Sequence, residues 1–518
     1  MGLVMERRIL SVLVVSAVLI WIDATVLGIA LERLADSATG LAATPGQLQW
    51  AVGAYSLLFA TALFAAGALG DRFGHRTILL LGLAVFGLAS AAAAWSTDAT
   101  QLIVARALMG TGGAMIMPTS MAIIGSTFPP ERRAGAIAAW SVSAGVGVAA
   151  GPVLGGLLID RFWWGSVFLI NLPIVAAAVV GVALLVPNPR SPHRRRLDPF
   201  GLVLSTAGLL ALAYGLIEGG QRAGFGRWPV WGSIVLGLLL IAAFVLSELR
   251  TAEPSFDPRL LRNRRFAAGN IALGALFLGV TGQAFYGTFY LQGARGLAAF
   301  DAGLVTLPGA VGVIIGAPLG ARLVRRLGVA RIAGGAFALF TLCLAANALF
   351  TVDTPLFWFG AVGLFAGAAI GAAVAPVTAA VLAALPVDRM GAGSAVNNTL
   401  RQVGSVLGVA LLGTVLANAY QRGIGPSLAG LPGPAADAAR PSAEATRQLA
   451  ASLDRPDLVD AANRAFIHAM HVTAVTAAVL TLLGTLILVA AFTARTRPAS
   501  SPRGGEDAPV RETAIQHL

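Results

Sequence analysis

Asp23 and Arg106 each set a charge inside an apolar run, Asp23 in WIDATVLGIAL (21–31) and Arg106 in ARALMGTGG (105–113). Stripped of water, such a group persists only with a partner or a task. A carboxylate at Asp23 suits either proton coupling or attraction of a cationic ligand. The plainer reading is a carboxylate satisfied by a neighbouring Arg or by Thr25. Arg106 has to face the interior of a helical bundle and find an acceptor there, unless it is a structural anchor near the interface.

Four further segments carry usable chemistry. In GALGDRFGHR (67–76), Gly67 and Gly70 permit a close helix end and Gly74 a tight turn. Asp71 can cap the next helix or pair with an Arg, so that Asp71, Arg72 and Arg76 latch one face; the alternative is simple topological charge. GVGVAAGPVLGG (145–156) strings Gly145, Gly151, Gly155 and Gly156 along one span with Pro152 in mid-helix, a smooth and kinked face for another helix to rock against. GVTGQAFYGTFYLQ (279–292) offers Gln283, Phe285, Tyr286, Phe289, Tyr290 and Gln292, either as a cavity lining that stacks on a cation or as an interfacial aromatic belt. SAVNNTLRQVGSVLG (394–408) is unusually polar, and Asn397, Asn398, Arg401 and Gln402 must face a cavity or another helix. Asp301 and Glu218 border span ends and read first as solvated helix-end acids.

Other chemistries lack their residues. The chain contains no Lys, so it has no GxxxxGK[ST] loop. No GxSxG, HExxH or paired Cys/His cluster occurs, and Cys343 is the single cysteine. No enzyme activity, cofactor, metal or nucleic-acid partner is expected. The net charge of +12 comes from arginines in short loops between apolar runs, which orient spans.

The elements that must position these residues are membrane helices. Of 518 residues 57% are apolar and 12% charged, about half the charge of a soluble domain, with a mean hydropathy of +0.79. Apolar runs fall near 9–31, 47–70, 77–96, 101–127, 134–158, 165–186, 199–217, 229–249, 266–292, 302–320, 331–351, 355–383, 392–419 and 467–493, fourteen candidate spans. The first is too long for a cleavable leader and contains Asp23. With the N-terminus inside, the inside loops collect Arg7, Arg8, Arg72, Arg76, Arg132, Arg133, Arg190, Arg194, Arg195, Arg196, Arg259, Arg262, Arg264, Arg265, Arg322, Arg325, Arg326, Arg389, Arg495 and Arg497. Both termini are therefore expected in the cytoplasm of a multi-pass cell-membrane protein.

The outside loop 420–466 reads as a breaker followed by an amphipathic helix. It forms either a loosely packed cap or a gating or partner-binding element. An internal repeat is visible at an offset of about 250–260 residues. Pro118 matches Pro376, the turn Glu131–Arg133 matches Asp388–Arg389, and Arg325 in VRRLGVAR stands where Asp71 stands in GDRFGHR. The repeat divides the chain into six-helix halves at 9–186 and 266–493, two inserted helices at 199–249 and a cytoplasmic tail at 494–518.

These motifs together resemble the major facilitator superfamily, in its fourteen-helix drug:proton antiporter branch. GALGDRFGHR is similar to the signature between the family's second and third helices. The segment around Arg106 resembles its helix-4 motif, linked with proton coupling, and GVGVAAGPVLGG its helix-5 antiporter motif. WGSVFLINLP (164–173) and FYLQGARGLAAFDAGLVTLP (289–308) resemble segments of this branch, and GSAVNNTLRQVGSVLG those of quaternary-ammonium exporters. The resemblance implies an all-α fold that exports small lipophilic cations against protons, as a monomer in the bilayer. Under it, Asp23 and then Asp301 are the acids that would meet a cationic drug. The chain departs from the family pattern at Gly28, Glu32 and Met109.

Overall fold

The computed structural model describes residues 3–188, 198–221, 227–251, 254, 256–386 and 389–493. Arg190, Arg194 to Arg196, Asp388, Arg495, Arg497 and the tail 494–518 lie outside the described residues. No strand occurs among the described residues. In lipid the backbone must satisfy its own hydrogen bonds, and a long apolar run does so only as a helix.

The chain forms α1 (Leu3–Ala35), α2 (Pro45–Phe73), α3 (His75–Ala94), α4 (Ala99–Thr127), α5 (Pro130–Arg161), the short α6 (Ser166–Leu169) leading into α7 (Asn171–Leu185), α8 (Pro199–Gln221) and α9 (Trp228–Arg250). There follow α10 (Arg264–Thr288), α11 (Ala299–Leu327), α12 (Val329–Ala346), α13 (Leu356–Ala383), α14 (Met390–Leu407), α15 (Gly413–Leu428), α16 (Gly433–Ala439), α17 (Ala443–Ser452) and α18 (Pro456–Thr493). Thirteen of the described helical spans are long and apolar enough to cross a membrane, and α2, bent by 48° between Leu63 and Ala65, makes fourteen. The chain is a multi-pass membrane protein.

Polar residues stop and start the helices where the sequence turns. Thr44 and Gln47 form a reciprocal capping box ahead of Pro45. Asp98 caps α4 through the amides of Thr100 and Gln101 at 2.8 and 2.9 Å, and Asn263 caps α10 in the same way. Gly74 at φ 98° and Gly328 at φ 82° make the corners between α2 and α3 and between α11 and α12, where a side chain would be strained. Those corners are the two copies of the repeated loop.

The membrane face holding the start of α1 and both glycine corners is called here the near face, and the opposite one the far face. α1 packs on α5 and α7, α2 and α3 on α4, α10 on α14 and α18, and α11 and α12 on α13. α8 and α9 pair with each other, and α8 also leans on α2 and α15. α9 turns Leu236, Leu238, Leu239 and Leu246 outward, as a helix bathed in acyl chains would.

The segment expected as a loop at 420–466 is shorter and better packed. Helix α15 continues to Leu428 and α18 begins at Pro456. Between them α16 and α17 bury Ala439, Thr446 and Ala450 to 1% exposure or less. A loosely packed cap is therefore the wrong description. The Ala-rich sequence that looked featureless lets α17 seat closely on α18 and α16 on α17.

Candidate functional site

Asp23 and Arg106 meet. Arg106 Nη1 lies 2.6 Å from Asp23 Oδ2, with side-chain exposures of 2% and 0%. Arg106 Nε also donates to the Ala51 carbonyl at 3.2 Å, and its guanidinium lies 4.5 Å from the centre of the Tyr55 ring. The second carboxylate oxygen accepts from Asn171 Nδ2 at 3.3 Å. Asn171 also donates to Ser90 Oγ at 3.0 Å, and Ser90 donates to the Phe168 carbonyl at 2.8 Å. Five helices thus close around one ion pair, which is buried and tolerated because each charge meets the other and further donors or acceptors, although Asn171 Oδ1 and the Tyr55 hydroxyl beside it find no partner among the described residues. Thr25 plays no part in it: its hydroxyl donates to its own helix backbone at Trp21 and Ile22.

α5 carries small residues on two faces. Side chains added at Gly147, Gly151 and Gly155, spaced by four, would strike Trp21, Thr25 and Val26 of α1. Added at Gly145 and Gly156 they would strike Ile314 and the backbone of Ala299 and Phe300 on α11. Gly303 of α11 returns the contact against the Pro152 carbonyl. One helix thereby slides close to both α1, which carries Asp23, and α11. It runs unbroken through Pro152.

Among the described residues, every hydrogen bond joining residues 3–188 to 256–493 lies at the far face. Asp160, at the end of α5, accepts from the first amides of α11, Ala299 at 3.3 Å and Phe300 at 2.9 Å. Gln292 Nε2 donates to the Ile29 carbonyl at 2.8 Å. Ser37 bonds Gln448 at 3.1 Å. Arg447 of α17 reaches Glu32 of α1 at 2.8 Å, Glu444 at 3.2 Å and Asn463 at 3.3 Å. Beneath α17 a narrow cavity is walled by Leu48, Gln49, Phe285, Phe289, Tyr420 and Phe466, among others.

Other expected site residues are placed differently. At the near-face corner, Asp71 neither caps α3 nor pairs with an Arg among the described residues; it stands 3.4 Å from His75. Arg72 lies over the Phe73 ring, and Arg76 donates to the Ala183 carbonyl. Gly67 has open space around it, and Gly70 is pressed by His75. Asp301 is exposed in the first turn of α11, apart from the Asp23 network.

The aromatic and polar stretches divide into packing and lining. Tyr290 is 1% exposed, donates to the Thr351 carbonyl at 2.8 Å and stacks with Phe350 and Phe359, so it packs the interior. Tyr286 is equally buried. Asn397, 1% exposed, donates to Asn270 at 2.8 Å and ties α14 to α10. These residues alternate around their helices, and the side facing a neighbour is filled before the side facing a cavity. Gln283, Asn398, Arg401 and Gln402 stay partly exposed. Asn398 donates to the Ser394 carbonyl of its own helix at 3.1 Å, while the Arg401 guanidinium lies 4.3 Å from the Phe277 ring centre with no carboxylate partner among the described residues.

Residues 13–409 match the sequence profile of the Major Facilitator Superfamily. The chain belongs to the major facilitator superfamily. Within the superfamily it is 32% identical over 478 residues to the methyl viologen resistance protein SmvA of Salmonella typhimurium, covering 92% of this chain and 96% of that one. It is 34% identical over 495 residues to the multidrug efflux pump LfrA of Mycolicibacterium smegmatis, covering 93% and 95%. It is 31% identical over 413 residues to the tetracenomycin C resistance and export protein of Streptomyces glaucescens, covering 78% and 74%. A solved bacterial homologue of the human lysosomal transporter Spinster superposes with a TM-score of 0.66 at 17% identity over 96% of this chain and all of the other, which establishes the shared fold.

Against this superfamily fold, sequence alone does not single out Asn171, Ser90, Tyr55, Gly147, Asp160 or Arg447. Asn171 left a signal: it is an amide inside the apolar end of WGSVFLINLP. Gly147 sits in the glycine motif, four residues before Gly151. Arg447 gave none, because its partner Glu32 is 415 residues away.

Proposed function

We propose that the chain exports lipophilic, cationic drugs or antibiotics in exchange for protons by alternating access. The observation that carries this reading is the near-full-length similarity to SmvA and LfrA. Methyl viologen, named in the first, is a flat dication.

The geometry supports a transport cycle. Residues 9–186 and 266–493 act as two halves, with 199–249 as an inserted pair. The near face is cytoplasmic, as its described arginines indicate, and so are both termini. The far face is held shut by the Asp160, Gln292, Ser37 and Arg447 contacts, which must break for release. The α5 glycine faces let α1 and α11 change their approach as the halves rock. Asp23 balances Arg106 when ionised; a proton on Asp23 would remove that balance and loosen the five-helix network, which couples proton entry to rocking. The protein works as a monomer in the cell membrane.

A second reading has its own support. The similarity to the tetracenomycin C export protein favours a dedicated exporter of one endogenous metabolite. Expression in an efflux-deficient host separates the two: ethidium and methyl viologen should both be extruded, and an uncoupler should abolish extrusion. Efflux that survives collapse of the proton gradient overturns the coupling. Failure to extrude either cation favours the dedicated exporter.

A further inference from the structure

On the near face of the second half, α10, α12, α13 and α18 surround an open crevice of about 660 Å³. Arg265 and Arg331 line it, together with Leu327, Val329, Ala383 and Phe492. Neither arginine has a side-chain hydrogen bond or ion pair among the described residues. Asp257, a described carboxylate of this face, is already engaged by Arg389 at 3.4 Å.

The sequence explains why this corner is uncompensated. In the repeated loop of the first half, Asp71 supplies a negative charge beside Arg72 and Arg76. Its counterpart VRRLGVAR has Arg325 at that position and no acid at all. Gly328 caps α12, and the first turn of that helix, from Val329, adds its free amides to the same corner. Opposite, the last carbonyls of α13 can accept hydroxyl groups. Leu327, 47% exposed, and Phe492 supply an apolar wall below the charges.

Two unpaired guanidiniums above an apolar wall, at the level where spans end, fit one kind of occupant. We propose that this crevice binds the phosphodiester headgroup of an anionic glycerophospholipid, with Arg265 and Arg331 on the phosphate and the acyl chains against Leu327 and Phe492. The lipid would tether the α11–α12 corner to α13 and α18, and so influence the second half without touching the Asp23 network. The proposal does not depend on what the protein exports.

The test uses the purified full chain in phosphatidylcholine nanodiscs with and without phosphatidylglycerol. It reads lipid retention by native mass spectrometry and thermal stability by intrinsic fluorescence. Phosphatidylglycerol should be retained by the wild type and raise its melting temperature. The Arg265→Gln/Arg331→Gln variant should lose about thirtyfold in retention, the order expected for two basic contacts to an anionic lipid. Arg331→Gln alone, a change at an exposed side chain that leaves the fold undisturbed, should lose part of it. An Arg325→Gln/Arg326→Gln control carries the same charge change outside the crevice and should retain the lipid. Equal retention by the crevice variant overturns the site, and so does equal loss by the control, which would mean unspecific surface charge. Inorganic phosphate reproducing the thermal shift in detergent would also overturn it, in favour of a free-anion site.

Discussion

At the scale of single residues, the Asp23–Arg106 pair is structural and, under the proposed proton exchange, also mechanistic, and the two roles can be separated. Removing one partner leaves the other charge buried and alone, which typically costs about 3–5 kcal/mol. Asp23→Asn and Arg106→Gln should each lower the melting temperature, while the double variant should recover part of the loss because no lone charge remains. Additive losses would mean that the pair is not coupled. Efflux follows a different logic. A proton-exchanging carboxylate is absent from both Asp23→Asn and the double variant, so neither should extrude ethidium even where stability returns. Normal efflux by the double variant would remove Asp23 from proton or cation handling. Tyr55 supports the guanidinium through its ring face, so Tyr55→Phe should be nearly neutral and Tyr55→Leu should not.

At the scale of elements, α5 decides how the halves approach. Gly151 meets Thr25 and the Ile22 carbonyl, and Gly156 meets the backbone of Ala299 and Phe300. Backbone cannot move aside as a flexible side chain can. Gly156→Val should therefore abolish efflux and slow folding into the membrane, as read by surface expression and dye extrusion. Gly125→Ala, where a methyl group meets open space, should be silent in both. The repeated corners are legible in sequence because Gly74 and Gly328 are needed for a positive φ. The helix ends are legible too, since Thr44, Asp98 and Asn263 cap where the apolar runs begin. What α17 does was not legible: an Ala-rich amphipathic segment carries no mark of the helix it will cover.

At the scale of the whole molecule, α17 becomes a lock. It fixes α1 through Glu32 and α18 through Asn463, and so joins the first half to the last helix. In a Cys343→Ser background carrying Ala417→Cys, a membrane-impermeant thiol reagent added from outside should react slowly. Adding Arg447→Ala should speed the reaction several-fold, because the cavity beneath α17 then opens more often. An unchanged rate would show that the far-face closure rests on Asp160 and Gln292 instead. The same variant should weaken efflux less than Asp23→Asn does, since a lock sets populations and leaves the Asp23–Arg106 network intact.

The sequence by itself determined that this chain is a many-helix membrane protein, roughly where each apolar span runs, and which residues carry costly charge. Lipid makes those features local: an apolar run must be a helix, and a charge inside it must be answered. Only the tertiary structure decided who answers. Asp23 finds Arg106 and Asn171, Glu32 finds Arg447, and Asp160 finds the start of α11, across 83, 415 and 140 residues. It also decided which polar side chains pack, as Asn397 and Tyr290 do, and which stay partly open, as Arg401 does. Helix period fixes the faces of each segment, but the neighbour on each face comes from packing, and no single segment encodes it.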